Sequence, residues 1–271
     1  MDVATWLSKA VEKLKRAKIE TARLDCLVLL EDCVNKDRGW LLAHPEFKLS
    51  KKQIAKINSQ MERRITHEPL AYIRNQTEFY NRSFYIDHRV LEPRPESETI
   101  IKLLKSLATN NKQTIVDIGT GSGALAITTK LELHNAKVIA TDIDSGCLEV
   151  ARQNAKALKA NIIFLKGNLL KPLDTLKLKS YILLCNLPYV PDNFKLNPAA
   201  MKEPQIAIFG GLDGLDLYRE LFKQIASSTY KPSFVLTESL PSQHKKLIAL
   251  AKLYAFELTQ TDDFIQCFNK V

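Results

Sequence analysis

Asn186-Leu187-Pro188-Tyr189 is the stretch of this chain best suited to chemistry. It follows the apolar run Tyr181-Ile182-Leu183-Leu184-Cys185, so it stands where a buried strand stops and a loop begins. The Asn186 side-chain carbonyl and the Leu187 backbone carbonyl can together grip both hydrogens of an amide or exocyclic amine. Tyr189 can lie flat against the same planar group. Such a grip suits alkylation of a weakly nucleophilic nitrogen. An amide lone pair is delocalised, and two acceptors favour the more pyramidal nitrogen of the transition state. Taken alone, the four residues are equally an Asn at a strand end followed by a Pro-Tyr turn. Tyr189 alone is more often a packing residue.

A second candidate is Asp117-Ile118-Gly119-Thr120-Gly121-Ser122-Gly123, between an expected strand and an expected helix. Glycines allow a tight turn and close backbone approach to a ligand. Dinucleotide folds place G-x-G-x-x-G at the same point, so the turn discriminates poorly by itself. Here the spacing is D-x-G-x-G-x-G. Asp142 ends the next strand, about 20 residues on, where a carboxylate can take both ribose hydroxyls. Asp144 is the alternative, and its position suits an N-cap. Gly167-Asn168-Leu169 ends the third strand, where a side-chain oxygen can accept from an adenine amine and an apolar residue can cover the ring. All three lie at C-terminal strand ends, where open α/β sheets bind ligands. Together they favour S-adenosylmethionine over NAD. No Walker A sequence is present, which argues against ATP hydrolysis.

These residues need a scaffold. From Gln113 onward, short apolar runs (Thr114–Val116, Lys137–Thr141, Ile162–Leu165, Tyr181–Cys185, Phe234–Thr237) alternate with helical stretches such as Leu125–Leu133 and Ser145–Leu158. That alternation predicts a parallel sheet with crossover helices. Phe256–Gln260 and Phe264–Phe268, flanking Thr261-Asp262-Asp263, predict an antiparallel hairpin at the sheet edge. Residues 1 to 74 carry apolar residues at helical spacing, including Val3, Trp6, Leu7, Ala10 and Leu14, and then Ile54, Ile57, Met61 and Ile65. A small helical bundle is expected there, either positioning a partner or stabilising the fold. Thr77 to Val90 predicts a short hairpin with Asn81-Arg82-Ser83 as its turn. Glu92-Pro93-Arg94-Pro95-Glu96 must run extended, and a helix is expected from Glu96–Glu98 to about Ala108.

The chain has 271 residues, 45% hydrophobic and 25% charged, an ordinary globular balance. It holds no uninterrupted apolar run of about 18 residues, so no membrane span is expected. No secretory signal is read at Met1–Trp6. The five cysteines (Cys26, Cys33, Cys147, Cys185, Cys267) are scattered and form no C-x-x-C pair. That argues against zinc and against a disulfide framework, and fits a reducing cytoplasm. Net charge is +9, which suits solubility or an acidic partner. No nucleic-acid-binding motif supports the second reading.

With these residues in hand, the chain resembles the HemK/PrmC family of protein-(glutamine-N5) methyltransferases. The resemblance runs over nearly the whole chain. It is carried by Ala22-Arg23-Leu24-Asp25, Arg38-Gly39-Trp40-Leu41-Leu42-Ala43-His44-Pro45 and Glu68-Pro69-Leu70-Ala71-Tyr72-Ile73. It is carried further by Arg89-Val90-Leu91-Glu92-Pro93-Arg94-Pro95-Glu96, similar to the family's VLIPRPETE segment. Glu203-Pro204, Phe209-Gly210-Gly211, Asp213-Gly214-Leu215 and Tyr218-Arg219 match another family stretch.

The resemblance implies an α/β Rossmann-like class I S-adenosylmethionine-dependent methyltransferase with a mostly parallel seven-stranded sheet. It implies a helical domain over 1–74 that binds release factors, a β-hairpin linker over 75–90 and a methyltransferase domain over 91–271. It implies that Gly119, Thr120, Gly121, Ser122, Gly123 and Asp142 bind S-adenosylmethionine, with Asn168, Leu169 and Asn186 also at the cofactor. Leu169 stands where the family often has an aromatic. Asn186, Leu187, Pro188 and Tyr189 would hold the glutamine of the Gly-Gly-Gln motif in class I peptide chain release factors. Transfer would be an SN2 step giving N5-methylglutamine and S-adenosylhomocysteine, with no metal and no dedicated strong base. A cytoplasmic monomer is expected, with no membrane and no nucleic-acid partner.

Three further positions and one segment depart from the family. Leu187 replaces the first proline of Asn-Pro-Pro-Tyr, Asn168 an aspartate and Asn75 a glycine. Glu238-Ser239-Leu240-Pro241 replaces a Glu-Ile-Gly segment. Arg94 and Glu96 can line the site, pair with each other or cap the following helix. Two rival readings remain: adenine-N6 methylation of DNA or RNA, and a non-catalytic ribosome or release-factor binding module.

Overall fold

The computed structural model describes residues 1–107, 112–174, 176 and 178–271. They form two compact units: Met1–Gln76 with Leu196–Lys202, and Thr77–Lys195 with Glu203–Val271.

The first unit is helical: α1 (Val3–Arg16), α2 (Ala22–Val34), α3 (Arg38–Ala43), α4 (Lys51–Ile65) and α5 (Leu70–Arg74). Side chains close the N-terminal ends of α1, α3 and α4, where orphan N–H groups need acceptors. Asp2 accepts from the Thr5 N–H, Asp37 from the Trp40 N–H, and Ser50 with Gln53 forms a reciprocal capping box. Trp6, Leu14, Leu29, Leu30 and Ile57 fill the core. Inside it, Arg64 Nε donates to Asp25 Oδ2 at 2.7 Å. Asn75 closes α5 with φ of 54°. This explains how the chain does without the glycine usual in the resembling family: Asn is the side chain that best tolerates the left-handed region.

The second unit opens with a hairpin of β1 (Thr77–Phe79) and β2 (Arg82–Phe84). Its turn is Tyr80-Asn81 rather than the expected Asn81-Arg82-Ser83. Both turn residues have positive φ, 50° and 56°. A two-residue left-handed turn matches the twist of the flanking strands, so Arg82 and Ser83 pair with Phe79 and Glu78 instead of turning. Pro95–Ser97 makes a single 3-10 turn, and α6 (Glu98–Leu107) follows. The expected helix end at Ala108 lies outside the described residues.

The remaining elements alternate: β3 (Thr114–Ile118), α7 (Ala124–Glu132), β4 (Lys137–Asp142), α8 (Ser145–Ala157), β5 (Ile163–Lys166), β6 (Ile182–Cys185), α9 (Asp216–Ser227), β7 (Phe234–Glu238), α10 (His244–Lys252), β8 (Phe256–Asp262) and β9 (Ile265–Lys270). Among the described residues, seven strands form one sheet in the order β5-β4-β3-β6-β7-β9-β8. Strands β3 to β7 run parallel, and β9 pairs antiparallel with both β7 and β8. This is the expected mostly parallel sheet with an antiparallel edge hairpin. Strand ends fall within one or two residues of the sequence reading.

Alternate residues of each strand face opposite ways. Ile115, Leu184 and Leu236 meet Ile100 and Leu104 of α6 and Ile127 of α7 on one face. Val116, Leu183 and Val235 meet Tyr218 and Phe222 of α9 and Leu247 of α10 on the other. Both faces are covered, which is why the strands read as continuous apolar runs rather than alternating ones.

Candidate active site

Strand order reverses between β3 and β6, and Ile118 ends β3 directly opposite Cys185 at the end of β6. Open α/β sheets bind ligands in the crevice at such a reversal. The loops carrying Gly119–Gly123 and Asn186–Tyr189 leave from these two neighbouring strand ends. Asp142 ends β4, and Gly167-Asn168-Leu169 follows β5. The sequence-predicted residues therefore lie along one edge of four adjacent strands.

Asn186 is held from behind. Its Nδ2 donates to Ser97 Oγ at 2.8 Å. Ser97 Oγ donates to Glu238 Oε2 at 2.6 Å, and the Tyr189 hydroxyl donates to Glu238 Oε1 at 3.0 Å. The Asn186 amide also hydrogen-bonds toward the Glu238 carboxylate. Because Nδ2 is turned into this network, the planar amide turns Oδ1 the opposite way. Ser97 and Glu238 are 2% and 1% exposed, so their contact is closed to bulk water, while Asn186 and Tyr189 are partly exposed. Burial raises the Glu238 pKa above the ordinary carboxylate value, while the Ser97 and Tyr189 hydroxyls oppose that shift. Burial beside Glu238 also pushes the Tyr189 phenol upward, so it stays protonated and donates.

The backbone of this loop is clamped as well. Gln243 Nε2 donates to the Tyr189 carbonyl at 2.7 Å and to the Asp213 carbonyl at 2.8 Å. Val190 exchanges backbone hydrogen bonds with Ile208 and Gly210. The Tyr218 hydroxyl lies 3.1 and 2.5 Å from the Cys185 and Glu238 carbonyls, with its single proton nearest Glu238, and receives the Leu187 N–H. Tyr218 thus ties the ends of β6 and β7 together just where the site begins.

On the β3 side, the three glycines have φ of 68°, 54° and 82°, a left-handed run that side chains resist. Asp117 is fully buried and accepts from Thr120 Oγ1 at 2.6 Å. Burial raises its pKa to about 7. The Asp142 carboxylate accepts from the Gly121 N–H and the Asp144 N–H, both at 2.9 Å. Burial raises the Asp142 pKa too, against those hydrogen bonds. Asp144 caps α8 by accepting from the Gly146 N–H at 2.7 Å. The two candidate acids are therefore separated by geometry: Asp142 faces the glycine turn and Asp144 faces a helix end.

Leu169 adopts φ of 51° and is 7% exposed, packed in one apolar cluster with Val116, Ile118, Ile139 and Leu187. Asn168 is half-buried beside it. Leu187 is 3% exposed, and its Cδ2 lies 3.2 Å from where a Cβ on Gly119 would stand. Arg94 pairs with Glu203 at 2.5 Å and with Glu92 at 3.7 Å. Glu96 is exposed, and its charge reaches Tyr189 and Glu238.

Ser97 and Glu238 were missed as site residues by the sequence reading. The available signals were faint: an acid closing the apolar run Phe234–Thr237, and a hydroxyl within the proline-glutamate segment.

A family model described as the PrmC N-terminal domain matches residues 5–74, and one described as the methyltransferase small domain matches residues 99–202. A release factor glutamine methyltransferase of Mycoplasma mycoides is 37% identical over 220 residues, covering 79% of this chain and 78% of that protein. One of Moorella thermoacetica is 35% identical over 253 residues, covering 92% of this chain and 88% of that protein. Among solved structures, the T. thermophilus 16S rRNA methyltransferase RsmC, in complex with AdoMet and guanosine, matches with a TM-score of 0.51. It is 15% identical over 72% of this chain and 50% of that chain, and shares the fold alone. Similarity at this level to two relatives over most of their length shows that the chain belongs to the release factor glutamine methyltransferases, a family of S-adenosylmethionine-dependent enzymes.

Proposed function

We propose that this protein transfers a methyl group from S-adenosylmethionine to the N5 amide nitrogen of the Gly-Gly-Gln glutamine in class I peptide chain release factors. One observation carries the reading: Asn186 is anchored through Nδ2 to Ser97, which presents Oδ1 as an acceptor. An acceptor fixed in this way selects an NH2 group and orients it before reaction, a preorganised electrostatic contribution.

The methyl donor supplies an electrophilic carbon on a sulfonium. The chain's residues suit it. A Cβ on Gly121 would meet nothing within 4 Å, so open space lies against the glycine turn. Asp142 stands beside that turn with oxygens suited to ribose hydroxyls. Gly119, Thr120, Gly121, Ser122, Gly123, Asp142, Asn168 and Leu169 are the residues proposed to hold it, with Asn186 at the boundary to the substrate. The Leu187 carbonyl is the second proposed acceptor for the glutamine NH2, and Tyr189 is proposed to face its plane. Holding the nitrogen in line with the methyl group supplies much of the remaining effect.

The helical unit is the proposed docking site for the release factor. A groove of about 630 Å³ in which Val11, Leu42 and Pro45 stand beside Glu12, Lys15 and Arg23 offers it a mixed apolar and charged surface. The reading includes a cytoplasmic monomer acting on protein rather than nucleic acid. Free thiols at all five cysteines suit a reducing compartment.

The test offers purified release factor, ribosomes and DNA to the protein with methyl-labelled S-adenosylmethionine. Label on the Gly-Gly-Gln glutamine supports the reading. Label on DNA or on a ribosomal protein instead, or on nothing, overturns it.

A further inference from the structure

Glu238 is a buried ionisable group that the proposed chemistry does not use directly. It ends β7, and no part of the glutamine grip requires it to touch substrate. Yet its carboxylate gathers three donors from two separate segments: Ser97 from the 3-10 turn before α6, and Tyr189 with the Asn186 amide from the loop after β6.

The polarity of these bonds matters more than their number. An ionised carboxylate accepts and cannot donate. Ser97 must therefore spend its single hydroxyl proton on Glu238. Its oxygen then has only lone pairs to offer Asn186, and lone pairs are satisfied by the NH2 end of that amide. An amide is nearly symmetric in shape, so packing alone separates its two orientations poorly. Hydrogen-bond direction separates them well, because in the reversed orientation Asn186 Oδ1 would face the Ser97 oxygen and the carboxylate with no proton between them.

We propose that Glu238 is a positioning residue that fixes the direction of the Asn186 amide and so makes the site select a side-chain amide over a carboxylate. With Asn186 held as observed, Oδ1 faces the ligand. It then accepts from an NH2 group and repels the oxygens of a glutamate. With Asn186 reversed, its own NH2 would face the ligand and would favour a glutamate instead. Selectivity between two side chains of almost identical shape thus traces to a charge one layer behind the contact. The inference rests on the glutamine-methylation reading.

The experiment uses the full chain and a purified class I release factor. Its variant with Glu in place of the Gly-Gly-Gln glutamine serves as a competitor. Wild type, Glu238→Gln, Ser97→Ala and Ser97→Thr are compared by kcat/KM on the release factor and by the inhibition constant of the Glu competitor. Calorimetry with S-adenosylmethionine reports whether each variant is folded. Glutamine at 238 keeps the shape but can donate as well as accept, so the direction is no longer imposed. The expected result is an about tenfold or larger preference of wild type for the Gln form, which shrinks toward unity in Glu238→Gln and Ser97→Ala. Ser97→Thr keeps the hydroxyl and restores the preference. Should Glu238→Gln fail to fold, the Ser97→Ala and Ser97→Thr pair decides alone. A reduced rate with undiminished preference in both Glu238→Gln and Ser97→Ala overturns the proposal. A wild type that leaves the release factor unmethylated overturns the underlying reading instead.

Discussion

The carbonyl oxygen of Pro188 lies so near Gly210 that a Cβ there would stand 2.3 Å from it, and 2.6 Å from the Gly214 carbonyl. Two backbones meet here with no room for a side chain, and Gly210 N–H bonds to the Val190 carbonyl alongside. Gly210→Ala must therefore push the Asn186–Tyr189 loop away from its support. A loss of about 1–3 kcal/mol is expected, the scale of overpacking. The KM for the release factor should rise more than the Kd for S-adenosylmethionine, since the displaced loop is the one proposed to hold the glutamine. Denaturation and steady-state kinetics check both.

Asn186→Ala removes the anchored acceptor and leaves the glycine turn and Asp142 in place. Methyl transfer should fall by about 10²–10³-fold, the scale for losing one preorganised transition-state contact. Binding of S-adenosylmethionine should stay close to wild type by calorimetry. Full activity would sink the assignment of the site.

Leu187→Pro separates the two things Leu187 provides. Its carbonyl is the proposed acceptor, which proline also has. Its N–H bonds to the Tyr218 hydroxyl, which proline cannot reproduce. Activity should change little, while stability falls by about 1 kcal/mol for the lost hydrogen bond. A large drop in kcat with stability unchanged would show that the carbonyl is not all that matters at this position.

Asp117 should make the ligand-free protein more stable in mild acid. Its folded pKa is raised to about 7 by burial, against an ordinary value of 3.8. Between those values the folded chain holds a proton that the unfolded chain has released. This contribution is fully present below about pH 4 and is lost as pH rises through about 7. Asp117→Asn should flatten the dependence of Tm on pH across that window. An unchanged slope would assign the dependence to other groups.

Within the helical unit, Asp25 and Arg64 have side chains only 5% and 10% exposed. Asp25→Ala strands the guanidinium and should destabilise the protein by about 3–5 kcal/mol. Replacing both partners with apolar residues, as in Asp25→Leu with Arg64→Met, should cost much less. Urea midpoints of the three proteins decide between the outcomes.

Much of the candidate site's placement was legible because its residues stand at strand ends, and strand ends are marked by where apolar runs stop. Asn186 after Cys185 and Asp142 after Thr141 are of this kind. Asp144 was ambiguous until the Gly146 N–H was seen to face it. Ser97 and Glu238 were not legible as partners, because 141 positions separate them and only the closed sheet brings them together. The roles of Gly210 and Gly214 depend on carbonyls that approach from Pro188 and Tyr189, which no local pattern announces. The hairpin turn was misplaced by one residue because Tyr80 takes a left-handed conformation that an aromatic side chain seldom signals.

Strand β9 follows β8 in sequence yet lies inside it in the sheet, paired with β7 along Phe234 to Glu238. The β8–β9 hairpin can form from local contacts, and it must then dock on β7 as a unit. Until it docks, β7 is an exposed edge, and Glu238 sits opposite an empty place where Ile265 belongs. The strands carrying the glycine turn, Asp142 and Asn168 do not depend on that step. Partial opening of the hairpin would therefore silence the proposed glutamine grip first and leave the proposed cofactor side of the crevice standing. Amides of β9 should exchange with solvent before those of β3 and β4, and transfer should fail on heating before the sheet as a whole melts.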